Sequence, residues 1–239
     1  MTYLAFLRHG QSVWNLENRF TGWVDVPLTD EGRKQARKSG QLLADTGIAF
    51  GCAYTSVLTR AIMTLNLALE EMEQLYMPVI KDWQLNERHY GGLTGLNKAE
   101  TAEKHGDEQV HIWRRSYDTP PPVLEDNSAF PSLSDARYPA GTPLPKTESL
   151  KTTLDRVEPY WAAEIAPRVN AGENLIIAAH GNSLRALVKL LFNVSDADIT
   201  GVEIPTGNPL LLELKDGSLE IISARYLDES RATPIPPVA

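Results

Sequence analysis

Two short apolar runs in this chain end on the same polar pair. Residues 3–7, Tyr-Leu-Ala-Phe-Leu, run into Arg8-His9-Gly10, and residues 174–179, Asn-Leu-Ile-Ile-Ala-Ala, run into His180-Gly181. Apolar runs of this length, bounded by polar and glycine positions, predict buried strands. Each strand would deliver a His-Gly pair at its carboxyl end, the place where ligands bind in an open parallel sheet, and the two histidines meet if the strands are neighbours. Elsewhere the apolar spacing is helical. Thr29-Asp30-Glu31 opens a predicted helix to about Ala44, with acids in the first turn where the dipole favours them. Leu58, Ile62, Leu65, Leu69 and Met72 share one helical face, and Ser56 is placed to cap that helix. Leu150, Leu154, Val157 and Trp161 form a second such face, and Leu184, Leu187, Val188 and Leu191 a third. A further strand is expected at 50–54, and a hairpin over 210–224 turning at Asp216-Gly217. The alternation predicts an α/β fold of three layers, with a mostly parallel central sheet and helices on both faces.

One stretch breaks the pattern. Residues 118–146 hold seven of the sixteen prolines and no periodicity, which reads as an insertion or lid in a single domain spanning 1–239, because no second core-sized pattern follows. The chain from about 226 reads as a tail, with three prolines in 233–239. With 42% apolar and 23% charged residues, the 239-residue chain has material for a large core, which excludes a disordered, coiled-coil or collagen-like protein. The net charge of −8 argues against a nucleic-acid partner. It leaves room for an anionic small molecule held by a few clustered arginines. Cys52 is the only cysteine, which removes intrachain disulfides and thiolate zinc patterns and fits a reducing compartment. No apolar run approaches the roughly 20 residues that span a bilayer, and the N-terminus lacks a signal core, so the expectation is a cytoplasmic protein without membrane contact.

The candidate chemistry lies at the element ends. His9 is either a histidine satisfied by a backbone partner or, because the permanent cation Arg8 lowers its proton affinity and grips phosphate, a neutral nucleophile. Arg60 falls in the first turn of a helix, where the macrodipole opposes a cation. It is either an exposed arginine or one that shares an anion with the helix N-terminus. His180-Gly181-Asn182-Ser183 offers backbone donors and an imidazole at one place, or simple capping. Taken together, two histidines and two arginines describe a phosphoryl-transfer site: His9 attacks, Arg8 and Arg60 cradle the oxygens, and His180 donates to the developing charge. No metal is expected, since none of the five histidines lie three or four apart, and His105 and His111, if on one helix, point away from each other.

Longer motifs are also present. Leu7-Arg8-His9-Gly10-Gln11-Ser12, Trp14-Asn15 and Glu17-Asn18-Arg19-Phe20-Thr21-Gly22-Trp23 are followed in order by Ser56-Val57-Leu58-Thr59-Arg60-Ala61 and Asn86-Glu87-Arg88-His89-Tyr90-Gly91. Then come Gly95-Leu96-Asn97-Lys98, Trp113-Arg114-Arg115 and Ala179-His180-Gly181-Asn182-Ser183-Leu184-Arg185. Through about residue 225 this series resembles the cofactor-dependent phosphoglycerate mutases of the histidine phosphatase superfamily. The resemblance implies interconversion of 3- and 2-phosphoglycerate in glycolysis and gluconeogenesis, through a phosphohistidine and a 2,3-bisphosphoglycerate intermediate that also primes the enzyme. It implies that His9 carries the phosphoryl group, that Glu87 gives and takes the substrate proton, and that Arg8, Asn15, Arg60 and His180 surround the transferring phosphate. Gly10, Gln11, Ser12, Thr21, Gly22, Arg88, Tyr90, Lys98, Arg114, Arg115, Gly181 and Asn182 would hold the rest of the substrate. Lys98, Arg114 and Arg115 supply the cations that a carboxylate and a second phosphate require. The partners implied are small anionic phosphoglycerates, and a homodimer or homotetramer is compatible with the sequence. One departure stands at the C-terminus, where the lysine-containing closing tail common in these mutases is replaced by Ile235-Pro236-Pro237-Val238-Ala239. A phosphatase of the same superfamily and a non-catalytic phospho-ligand sensor are the rival readings.

Overall fold

The computed structural model describes residues 1–237. Strand β1 (Thr2–Arg8) leads through a single helical turn, α1 (Val13–Leu16), to helix α2 (Asp30–Ala44). Strand β2 (Cys52–Thr55), helix α3 (Thr59–Glu71) and strand β3 (Val79–Lys81) follow. Two short helices, α4 (Lys98–His105) and α5 (Asp107–Arg115), precede the proline-rich segment. Beyond it come α6 (Leu150–Tyr160), a π-turn over Trp161–Ile165, α7 (Ala166–Asn170), β4 (Leu175–Ala179), α8 (Gly181–Leu191), β5 (Leu210–Leu214) and β6 (Ile221–Tyr226).

The six strands form one sheet in the order β3-β2-β4-β1-β5-β6. The first four are mutually parallel, and the last two add an antiparallel edge. Because strand side chains alternate, Leu4 and Phe6 of β1 and Leu175 and Ile177 of β4 enter the core under α6 and α8. Ala5, Leu7, Ile176 and Ala178 face the opposite core with Leu43 of α2 and Leu65 and Leu69 of α3. Helices therefore cover both faces, and for that reason β4 is apolar throughout and β1 is apolar between Thr2 and Arg8. Leu4 pairs with Leu175 and Arg8 with Ala179, so β1 and β4 end side by side.

Three local expectations need correction. The second strand lies two residues later at its start, at Cys52, because Phe50 precedes the ladder and is buried in the α2–α3 core. Ser56 does not cap α3: its N-cap is Leu58, without a side-chain bond, and the Ser56 hydroxyl is committed to His180 and the Leu58 N–H. His105 and His111 fall on separate helices, with the His105 ring against Trp113. The segment 118–146 contains one 3-10 turn, Pro131–Leu133. Its Leu133 and Tyr138 are buried with Trp23, Val24 and Val26 in a small separate core. After β6 the chain is held down as far as it is described. The Thr233 hydroxyl donates to the Glu203 carbonyl at 2.6 Å and Ile235 packs against the main core. Val238 and Ala239, the end of the expected tail, lie outside the described residues.

Candidate active site

Ladder hydrogen bonding carries β1 one residue past its end, since the His9 N–H donates to the Ala179 carbonyl at 3.0 Å. His180 follows directly on β4 as the N-cap of α8, and the parallel register brings the two imidazoles to a centroid separation of 5.0 Å. The turn after His9 is made by close backbone approach. A Cβ on Gly10 would stand 2.2 Å from the Gly32 carbonyl oxygen of α2, so only glycine fits. The Gly10 carbonyl accepts a hydrogen bond from His9 Nδ1 at 2.7 Å. A carbonyl cannot donate, so Nδ1 carries the proton and Nε2 keeps its lone pair. That lone pair faces the Arg60 Nε–H at 3.3 Å. Burial, then Arg60, then Arg8 hold the His9 imidazole well below the ordinary histidine value, against the opposing pull of the Gly10 bond.

Arg60, from the first turn of α3, is 1% exposed and donates to the Val24 and Gly22 carbonyls at 2.9 and 2.6 Å. Burial lowers its guanidinium to about 10. Arg8 donates to the Ile204 carbonyl at 2.7 Å. His180 shares a 2.7 Å hydrogen bond with Ser56 Oγ through Nε2, and burial, Arg60 and His9 keep it well below its ordinary value. Glu87 is buried on the loop between β3 and α4, where its Oε1 accepts from the N–H groups of Arg88 at 2.8 Å and Asn182 at 3.0 Å. Its Oε2 sits at Gly181: a Cβ there would stand 3.6 Å from Oε2 and 3.4 Å from the Arg8 guanidinium carbon.

These groups open on one cavity. Arg8, Arg19, Arg60, Lys98, Arg114, Arg115 and Arg185 line it against two carboxylates, Glu87 and Glu203, a cationic pocket in a chain of net charge −8. Burial, with Arg114 and Arg8 nearby, lowers the Lys98 ammonium below its usual value. Two buried donors on the cavity wall have no protein partner, Arg8 Nε and Arg185 Nε; Arg88 Nε and Nη1, behind the wall, have none either. Each such donor costs on the order of 1–3 kcal/mol while unpaired. An anion with several oxygens fits the wall, because it supplies acceptors where Arg8 and Arg185 leave donors open.

Of the residues proposed from sequence, His9, Arg8, Asn15, Thr21, Gly22, Arg60, Glu87, Tyr90, Lys98, Arg114, Arg115, Gly181 and Asn182 line the cavity. Gly10, Gln11 and Ser12 do not. Gly10 is pressed on Gly32, Gln11 is engaged by Gln35 and Thr29, and Ser12 is buried as the cap of α1, accepting from the Asn15 N–H. Their part is to build the turn after His9. Arg88 is fully buried behind the wall, donating to the Arg114 carbonyl at 3.0 Å with its guanidinium 4.7 Å above the Tyr90 ring. His180 stands behind His9 without lining the cavity. Arg19, Phe20, Arg185, Glu203 and Ile204 line it without having been assigned. Arg185 was detectable, one helical turn after Asn182 on α8, whose Oδ1 it holds at 2.8 Å. Glu203 carried no signal, and its ion pair with Arg115 at 3.4 Å exists only through the fold.

No group of metal-ligating side chains occurs among the described residues, and no described helix is long and apolar enough to cross a membrane. Residues 4–136 match the family model of the histidine phosphatase superfamily, branch 1. The chain is 64% identical over 241 residues to a 2,3-bisphosphoglycerate-dependent phosphoglycerate mutase of Maricaulis maris, covering all of this chain and 99% of the relative. The mutase of the same name from Caulobacter vibrioides is 64% identical with both chains fully covered. Among solved structures, a mycobacterial hydrolase superposes with a TM-score of 0.71 at 23% identity, covering 98% of this chain and 100% of its own. A mycobacterial glucosyl-3-phosphoglycerate phosphatase superposes with a TM-score of 0.66 at 22% identity, over 94% and 96%. At these identities the solved structures establish the fold alone.

Proposed function

Because the chain belongs to the histidine phosphatase superfamily and matches bisphosphoglycerate-dependent mutases along its whole length, we propose that its cavity interconverts 3-phosphoglycerate and 2-phosphoglycerate through a phosphohistidine at His9. The observation that carries this reading is the surplus of cations beyond the transfer pair. Arg8 and Arg60 suffice for one phosphoryl group. Lys98, Arg114, Arg115 and Arg185 add cations to the same cavity, the charge that a carboxylate and a second phosphate require.

The residues divide the reaction among them. His9 Nε2 attacks phosphorus in line as the P–O bond to the substrate oxygen breaks, and Arg8 and Arg60 neutralise the charge spread over the equatorial oxygens. The N-terminus of α8, whose N-cap is His180 packed 5.0 Å from the His9 ring, adds its dipole to those oxygens. Glu87 protonates the departing oxygen and takes the proton from the hydroxyl that later attacks phosphohistidine. When bound, 2,3-bisphosphoglycerate supplies the phosphoryl group that primes His9, and Lys98, Arg114 and Arg115 would hold its far end. The guanidinium groups meet the charge demand, so the proposed chemistry is metal-independent. The activity belongs to glycolysis and gluconeogenesis, which supports a cytoplasmic setting.

A coupled assay of 3-phosphoglycerate with and without added 2,3-bisphosphoglycerate tests the reading. Formation of 2-phosphoglycerate, stimulated by the bisphosphate, is expected; release of inorganic phosphate instead would assign a phosphatase, and neither product a binding protein. The double variant Arg114→Ala/Arg115→Ala separates the first two further. The Arg114 backbone carbonyl still holds Arg88, so the wall keeps its shape while losing two charges. Charge-assisted contacts are worth about 1.5–3 kcal/mol each, less where solvent reaches them. Mutase activity should fall at least about tenfold and the bisphosphate requirement rise, while phosphohistidine still forms. Full mutase activity at low cofactor concentration would remove both arginines from the reading.

A further inference from the structure

Arg156 of α6 does not touch the cavity, yet its guanidinium is committed to the loop that carries Glu87. Its Nε and Nη2 grip both oxygens of Glu148 at 2.8 and 3.0 Å. The remaining N–H groups reach the carbonyl of Gln84 at 2.5 Å and those of Asn86 and Glu87 at 3.3 Å. Glu148 continues the clamp: its Oε2 accepts from the His89 N–H at 2.8 Å and its own N–H donates to the His89 carbonyl at 2.9 Å. Trp23, 5.2 Å beneath the Arg156 guanidinium, donates its indole N–H to the Glu87 carbonyl. The carbonyls of Asn86 and Glu87 and the backbone N–H of His89 are therefore tied to one pair of side chains, and the His89 carbonyl to the backbone of the same Glu148.

The pair is only 7% and 3% exposed. Burying two charges costs several kcal/mol per ion, so such a pair is a poor way to gain stability and an effective way to impose one geometry. An arginine has five N–H groups in a rigid fork, and this one spends them on a carboxylate and consecutive carbonyls, a task the point charge of lysine cannot perform. The loop has no helix or strand of its own at Asn86–His89 to fix it. We propose that Arg156 and Glu148 are positioning residues that hold the Glu87 carboxylate at the reacting oxygen, acting through the 84–89 backbone. This rests on the acid–base role given to Glu87 above. A displacement of about 1 Å at such a group is enough to cost on the order of 100-fold in rate.

The test is Arg156→Lys in the full-length enzyme, in both the wild-type and the Glu87→Gln backgrounds, with kcat, KM and the melting temperature measured for each. In the wild-type background kcat should fall roughly 10- to 100-fold with KM within about threefold. In the Glu87→Gln background the same substitution should change kcat less than about threefold, because the group being positioned is no longer a proton carrier. Equal losses in both backgrounds, a change in KM alone, or an unaltered kcat would overturn the inference while leaving Glu87 as the acid–base group. A Glu87→Gln enzyme with wild-type kcat would instead remove the acid–base reading and this inference with it. Should Arg156→Lys fail to fold, Glu148→Gln replaces it. That variant keeps the Arg156 contacts to Gln84, Asn86 and Glu87, and a smaller kcat loss, again absent beside Glu87→Gln, is expected. If neither variant folds, the pair serves the fold alone and the inference fails.

Discussion

His9→Ala should leave a folded protein that acquires no phosphoryl group from 2,3-bisphosphoglycerate and has lost on the order of 10⁵-fold or more in kcat. The wild type should gain a single acid-labile, base-stable group, read by intact mass. The structure gives the reason for so large an effect. Only one imidazole has its Nδ1 proton committed to a backbone carbonyl and its Nε2 lone pair turned to the transfer site, and His180, with Nε2 bonded to Ser56, cannot replace it. The pH dependence follows from the same surroundings. Burial, Arg60 and Arg8 keep His9 neutral well below the ordinary histidine value of 6.5, so lowering the pH through 6.5 should not protonate it. Phosphorylation of His9 in single turnover should therefore show no loss with an inflection near 6.5, and a loss with that inflection would contradict the neutral nucleophile. Stability should respond with a definite sign. In the unfolded chain His9 and His180 take up protons near 6.5, whereas in the folded one they do not until much lower pH. The unfolded state therefore binds more protons there, and stability falls as the pH drops below about 6.5. A phosphorylated species persisting in His9→Ala would place the nucleophile elsewhere.

How far the sequence foretold this site depended on how local each cause was. The strands β1 and β4 were legible because burial on both faces demands uninterrupted apolar residues, and their His-Gly ends followed. Their adjacency, which turns two histidines into one site, came from topology and was only conditional until the register Arg8 to Ala179 was seen. Ser56 misled for a physical reason. A serine before a helical period has the right chemistry for a cap, but here its hydroxyl is drawn to His180 across the sheet end. The edge strand Val79–Lys81 has three residues, two of them exposed, and so no apolar run to announce it. Gly10, Gln11 and Ser12 belong to a motif spent on shaping a turn, and the motif alone does not distinguish residues that face a ligand from residues that aim their neighbours. Arg8 held by Ile204 and Arg185 held by Ile199 join segments far apart in the chain, and nothing at either end marks the other.

Glu87→Gln should bind phosphoglycerate almost normally and turn it over about 10²- to 10⁴-fold more slowly, the usual scale for losing a general acid or base. The substitution is well suited to this site. Glu87 Oε1 accepts two backbone N–H groups, from Arg88 and Asn182, and the amide oxygen of glutamine can accept both, leaving its NH2 where Oε2 stood by Gly181. Loop geometry and volume are thus preserved while the only proton-carrying atom is replaced by one that neither takes nor yields a proton at neutral pH. Charge changes as well, because Arg60 and the other guanidiniums lose a carboxylate neighbour. The pocket becomes more positive, which favours anion binding and works against any rise in KM. The two roles open to Glu87 therefore predict opposite patterns. A proton carrier gives a collapsed kcat with an unchanged or lowered KM. A residue whose work is to orient substrate gives a raised KM with kcat nearly intact, and that result would send the search for the proton carrier elsewhere in the cavity, where Tyr90, brought below its usual value by Arg88 despite its burial, is the next group in line.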